Sequence, residues 1–188
     1  MAKKIVGVII IFVLGGLFYL WHRSVIKRME MVYQKEMNNL KLKLQKEYEV
    51  DFFKVYSYNP INDSVEIDFY IKIPKHLPLE TKLSIITDRL SRFEFQRHPI
   101  NFLRVENRKG KKIAIVDLKE PDYSHAFTWR GGFFQGSSGG LSTTITLVKT
   151  FLQPDYQGEW IDGIEFYYEG EPISNEWDHI RLNGTIYR

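Results

Sequence analysis

Phe52–Ile73 reads FFKVYSY, NPIND, SVEIDFYIKI, and its reading decides the fold. Phe52–Tyr58 is rich in aromatic residues, which fit a pleated, half-buried surface. Asn59-Pro60-Ile61-Asn62-Asp63 has turn chemistry: Asn and Asp side chains bond nearby backbone, and Pro fixes φ. Ser64–Ile73 alternates polar and apolar residues, which places Val65, Ile67, Phe69, Ile71 and Ile73 on one face of a strand. Two strands around a short turn predict an antiparallel pair.

Downstream the period changes. Leu79, Leu83, Ile86, Leu90 and Phe93 recur at helical spacing, with Pro78 near the first position and Glu80 in the first turn. Ile100–Glu106 and Lys112–Leu118 read as strands, and Gly110 in their connection is free to take positive φ. A second helix is expected with Leu141, Ile145, Val148 and Leu152 on one face and Thr143, Thr144, Thr146 and Thr150 on the others. Threonine is poor intrinsic helix material, so packing must support this element, and Pro154 stops it. Trp160–Tyr168 reads as a long strand and Gly184–Arg188 as a short one. The predicted class is α+β in the order ββαββαβ: a small, mostly antiparallel sheet with two helices packed on one face.

Upstream, Ile5–Trp21 is an uncharged run of 17 residues, IVGVIIIFVLGGLFYLW. As a helix it is about 26 Å long, at the short end for a hydrocarbon core of about 30 Å. Lys4 and Arg23 can snorkel over the shortfall, and Tyr19 and Trp21 sit where an interfacial belt would lie. A cleaved signal peptide is the rival, but no small-residue cleavage site follows Trp21. Positive charge flanks both ends, so the charge bias does not set the orientation. Beyond the run, Ile26, Met29, Tyr33, Met37, Leu40, Leu44 and Tyr48 repeat every eleven residues. That period keeps a stripe nearly straight on a helix. The stripe fits either a seam for another helix or a solvated spacer. The expected organisation is an anchor at 1–23, a helical stalk at 24–50 and an α+β domain at 51–188, with the domain extracytoplasmic.

The 188 residues carry a formal net charge of +3 and no cysteine. Without cysteine there is no disulfide framework, thiol nucleophile, Cys-ligated metal or lipidated cysteine. The basic balance invites a nucleic-acid reading, but its distribution argues against one. Residues 1–50 hold nine Lys/Arg and four acids, net +5, and the remainder is net −2. Basic residues beside a span suit anionic headgroups.

Motifs for catalysis are missing. His22, His76, His98, His125 and His179 show no metal-ligand spacing, and no phosphate-loop, dinucleotide or nucleophile-elbow pattern occurs. The acids from Asp155 to Asp178 lack calcium-loop spacing and read as a solvated face. Arg104, Arg108, Lys109, Lys111 and Lys112, interleaved with Glu106 and Asp117, read the same way. No catalytic residue, cofactor site or metal site is expected, and no nucleic-acid partner. An enzyme would need distant groups such as Asp117, His125 and Ser137 to converge.

One stretch stands out: Trp129–Thr144, WRGGFFQGSSGGLSTT. Trp129, Phe133 and Phe134 can plug a core, and Ser137, Ser138 and Ser142 can cap the following helix. The alternative is a recognition loop over Trp129, Phe133, Phe134, Gln135, Gly136, Ser137 and Ser138, with bare amides that could hold an anionic group.

This stretch and its neighbours resemble the GerMN domain of sporulation and spore-germination proteins. The matching segments are FKVYSYNP (Phe53–Pro60), LETKLSIITDRLS (Leu79–Ser91), GKKIAIVDL (Gly110–Leu118), FFQGSSGG (Phe133–Gly140) and TFLQPDYQGEWIDGIEFYYEG (Thr150–Gly170). The resemblance spans nearly all of 51–188. The resemblance implies a non-catalytic, extracytoplasmic interaction or assembly module in the envelope of a spore-forming bacterium. Its partners would be other envelope or sporulation proteins, with a homo-oligomer open as well. This chain has one such domain and a plain apolar run, where tandem copies and lipid-modified anchors occur in the family. A second reading is a cell-wall glycan or peptide binder stacking sugars on Trp129, Trp160, Tyr167, Tyr168 and Trp177.

Overall fold

A computed structural model describes the backbone at 2–122, 127–174 and 177–188, with side chains at those positions except 2–15, 17 and 46–48. The chain divides into two compact units, Met1–Glu49 and Val50–Arg188.

The first unit is one helix, α1, Ala2–Tyr48. No Pro occurs in it, and it passes through Gly15-Gly16 without a break. Most of the apolar run Ile5–Trp21, and with it the expected anchor, lies outside the described side chains. Among the described residues, no helix is long and apolar enough to cross a membrane. Along the rest of α1 the described stripe residues Ile26, Met29, Tyr33, Met37, Leu40 and Leu44 are all exposed.

The second unit is α+β. Strands β1 (Val50–Asn59) and β2 (Ser64–Pro74) form the antiparallel hairpin, with a bulge between Val55 and Tyr56. Its turn is held locally: the Asn59 side chain accepts from Ile61 N–H, and Tyr58 bonds Asp63. The inner face does not run its full length. Phe53, Val55, Ile71 and Ile73 are buried, but Val65 and Ile67 are exposed, and the bulge pairs Ile67 with Tyr56, out of phase with Phe69, Ile71 and Ile73.

Helix α2 (Leu79–Phe93) buries Leu83, Ile86 and Leu90, as its spacing predicts. Strands β3 (Ile100–Arg108) and β4 (Lys111–Leu118) pair antiparallel, and Lys109 and Gly110 both take positive φ in the turn. The chain then passes through a π-helical turn, Trp129–Phe133, and helix α3 (Ser137–Leu152) before β5 (Gly163–Tyr168). Short strands β6 (Glu171–Pro172) and β7 (Thr185–Tyr187) pair antiparallel with β5.

The expected single sheet is two. The hairpin β1–β2 stands apart from a five-stranded sheet in the order β3-β4-β5-β6, with β7 also on β5. Within that sheet β4 and β5 run parallel. A connection through a helix lets a strand return in the same direction, which a short hairpin cannot do. Inner-face residues Ala114, Val116, Leu118, Ile164 and Phe166 form one core cluster with the hairpin and both helices. On the opposite face of β4, Ile113 and Ile115 are also fully buried. Arg104, Glu106, Arg108 and Glu165 flank them in register and are joined by ion pairs. The arginines expected to be merely solvated are thus tied to carboxylates over an apolar pair.

Helix α3 corrects the expected face. Of the expected face Leu141 is exposed, Ile145 and Val148 are half-buried and Leu152 is buried, while Thr143, Thr146 and Thr150 also point inward. The hydroxyls are used on backbone. Thr150 Oγ1 accepts from Tyr56 N–H at 3.0 Å, and Thr143 Oγ1 donates to Phe133 O at 2.8 Å. Gln153, in the left-handed conformation that ends α3, continues the pattern. Its side-chain oxygen accepts from Lys54 N–H at 2.9 Å, and its amide donates to Lys54 O at 2.7 Å. Side chains of α3 thereby satisfy the edge of β1 that β2 does not pair. The last strand also begins later than expected. Trp160 and Ile161 are both buried ahead of β5, and Trp160 Nε1 donates to Phe151 O at 2.6 Å.

Candidate functional site

The aromatic stretch is built on the π-helical turn. Thr128 starts it: Thr128 Oγ1 accepts from Gly131 N–H at 2.8 Å. Glu120, on the chain leaving β4, reaches the first amides of the turn, accepting from Trp129 N–H at 3.0 Å and Arg130 N–H at 2.9 Å. The same carboxylate accepts from the Tyr168 hydroxyl at 2.9 Å. Burial, and then this bond to Glu120, pushes the Tyr168 hydroxyl pKa up. Bare amides at a helix start favour an anion. The anion here is the chain's own Glu120, so the first amides of the turn are already occupied.

Trp129 is fully buried, and its Nε1 donates to Lys119 O at 3.0 Å. Its ring lies 4.8 Å from Phe95, 5.0 Å from Phe133 and 5.6 Å from Phe134, centroid to centroid. Phe134, also buried, packs on Tyr168 and Trp177. His98 is enclosed beside them, with Nδ1 2.8 Å from Phe95 O and Nε2 2.7 Å from Phe127 O. The three aromatics of the expected recognition loop are therefore not a shared exposed surface: Trp129 and Phe134 are core, and Phe133 is half-buried against them.

What the loop exposes is small and polar: Gln135, Gly136, Ser137, Ser138 and Gly139. Gln135 is positioned by a bond from Nε2 to Arg130 O at 2.8 Å. Gly136 sits at φ 70°, a region that favours glycine, and α3 starts there with no side-chain cap. The expected serine caps are absent because Ser137, Ser138 and Ser142 lie within the helix, past the capping position.

The sugar-stacking reading loses its platform. Trp129 and Trp160 are buried, and Tyr167, Tyr168 and Trp177 are each half-buried. The residues named for an enzyme are not shown to converge. Asp117 is buried, accepts from Gly170 N–H at 3.0 Å and lies 3.5 Å from Lys119 Nζ. Ser137 is exposed at the start of α3, and His125 lies outside the described residues. Among the described residues, no group of three or more His, Asp or Glu could hold a metal ion.

A cavity of about 830 Å³ lies between the start of β1, the start of α2 and the segment after α3. Among its lining residues are Asp51, Lys82 and Tyr156, and the last two both bond Asp51. Tyr156 Oη donates to Asp51 at 2.8 Å, and Lys82 Nζ lies 3.3 Å from the same carboxylate. Burial, and then the bond to Asp51, pushes the Tyr156 hydroxyl up to about 12. Such a phenol stays protonated and anchors Asp51.

Glu120 and Thr128 carry the local structure of this site, and neither stood out in the sequence. A Thr directly before a Gly-rich turn is an N-cap signal that could have found Thr128. Comparison with protein-family models, with curated proteins and with solved structures finds no match for this chain.

Proposed function

We propose that this chain is a membrane-anchored, non-catalytic interaction module of GerMN type, with its α+β unit on the extracytoplasmic side. Its partners are other envelope or sporulation proteins. The observation that most supports this reading is the continuity of α1 from Ala2 to Tyr48, which puts the apolar run and the expected stalk on one helix. The run Ile5–Trp21 supplies the anchor. At about 1.5 Å per residue the segment from Ser24 onward sets the domain roughly 40 Å from the bilayer surface. Gln135–Gly139 is the exposed part of the loop that the composition singles out, and it is the contact surface to probe first.

The test is fractionation of cells expressing the full chain. The protein is expected to stay in membranes through an alkaline carbonate wash, and protease added outside the membrane is expected to remove Val50–Arg188. Deleting 24–48 while keeping 1–23 should then disturb localisation or assembly. Release by carbonate, or protection of the domain from external protease, overturns the reading.

A further inference from the structure

The apolar stripe along α1 lies open. Ile26, Met29, Tyr33, Met37, Leu40 and Leu44 are each at least 45% exposed. From Ile26 to Leu44 the stripe runs about 27 Å, at about 1.5 Å per residue. Contiguous apolar surface with a polar rim marks an interaction site.

The rim carries a pattern. An eleven-residue period turns each residue about 98° round the helix. Ile26 and Met37 then lie on one line, Met29 and Leu40 on a second about 65° away, and Tyr33 and Leu44 midway between them. Two opposite charges bracket this band: Lys41 stands about 33° beyond one edge and Glu36 about 33° beyond the other. Neither has an opposite charge three or four residues away, the spacing at which side chains pair along one helix.

We propose that a second copy of this chain docks on the stripe, α1 against α1, parallel and in register. The bracketing charges select this occupant and this direction. In a parallel pair the two flanks of one helix meet the opposite flanks of the other. Glu36 of each copy then faces Lys41 of the other, five residues along. Both contacts join opposite charges, and flanking pairs of this kind set partner and orientation where helices share an apolar seam. An antiparallel pair sets each flank against its own kind and parts Glu36 from Lys41. The period agrees with the pairing, because an eleven-residue repeat keeps the band facing a partner with only gentle right-handed winding.

The pairing needs neither the membrane anchor nor the family resemblance, so it stands or falls separately from them. The chain has no cysteine, so a single introduced thiol reports one position. Packed helix axes lie about 8–10 Å apart and each Cα stands about 2.3 Å from its axis, so facing stripe positions are within reach of a disulfide. Full-length Met29→Cys and full-length Leu44→Cys, tested separately, are each expected to form a disulfide dimer under mild oxidation. Only a parallel, in-register pair sets both positions against themselves. Full-length Lys35→Cys, on the opposite face of the helix, is expected not to cross-link. Adding Glu36→Lys to Leu44→Cys opposes like charges twice and should lower the cross-linking rate about fivefold. Adding Lys41→Glu as well reverses both charges and should restore it. Matched helix content by circular dichroism confirms that each variant is folded. Disulfides at both stripe positions, with a rate that follows the charge swap, support the proposal. No disulfide at either position, a disulfide at only one, an equal yield from Lys35→Cys, or a rate indifferent to the swap overturns it. A helix from a different protein on the stripe would give the first of these, and an antiparallel pair the second.

Discussion

Trp129 has the largest of the fully buried side chains, and its indole N–H is satisfied by Lys119 O. Truncating a buried Trp costs about 3–5 kcal/mol. Trp129→Ala is therefore expected to lower the denaturant midpoint of the whole Val50–Arg188 transition, not to remove one binding function from an intact fold. An unchanged midpoint would show that the ring is not structural. Glu94 gives a second prediction at this scale. Burial, then the nearby Asp68 carboxylate and the bond to it, raises the Glu94 pKa to about 7 from an ordinary 4.5. The folded state thus binds more protons than the unfolded state between those values. Stability is greatest below the unfolded pKa and falls as pH rises through the folded one. Glu94→Gln removes that dependence. The melting temperature of the variant, measured against wild type from pH ~5 to pH ~8, should shift in its favour as pH rises. A constant offset would mean that Glu94 titrates normally.

At the scale of elements, α3 is a helix whose polar side chains close a strand edge. Thr150 and Gln153 together bond Tyr56 N–H and both backbone groups of Lys54. Gln153→Leu keeps the bulk and removes the bonds, leaving buried polar groups unsatisfied at a cost of about 1–3 kcal/mol. Hydrogen exchange at the Lys54 amide is expected to accelerate more than at Phe53, and equal acceleration at both would assign the loss to general destabilisation. These bonds also mark where the sequence stopped being legible. The hairpin, α2 and the β3–β4 pair are set by local periodicity and turn residues, which one stretch of chain displays. The inward turn of Thr150 depends on a strand about a hundred residues earlier, at Tyr56. Apolar periodicity therefore found only part of the buried face of α3, Leu152, and missed the threonines. The parallel register of β4 and β5 is likewise non-local. So is the role of Glu120, whose carboxylate meets the turn across a connection of nine residues or more. At the candidate site the aromatic plugs were legible as one of two readings, because size and apolarity are properties of single residues. Which of them would be exposed was not.

Over the whole molecule, charge and structure divide near the same place. The +5 balance belongs to the first fifty residues, and the net −2 remainder folds as the α+β unit. Polar chemistry in that unit is consumed internally. Among the described residues no buried side-chain nitrogen or oxygen lacks a hydrogen-bond partner. Glu120, Asp51 and Gln153, which resemble site residues by type, hold a turn, a phenol and a strand edge. What the unit offers outward is surface: a small polar loop at Gln135–Gly139 and an open strand edge at β2.

Only Glu49 separates α1 from β1, so tension along the helix enters the α+β unit at Val50. The strand that receives it is not held by its ladder with β2 alone. Thr150 and Gln153 grip it from the other side, midway along, at Lys54 and Tyr56. Drawing β1 out of place would break ladder and clasp together, which makes this strand a mechanical fastening as well as a wall of the core.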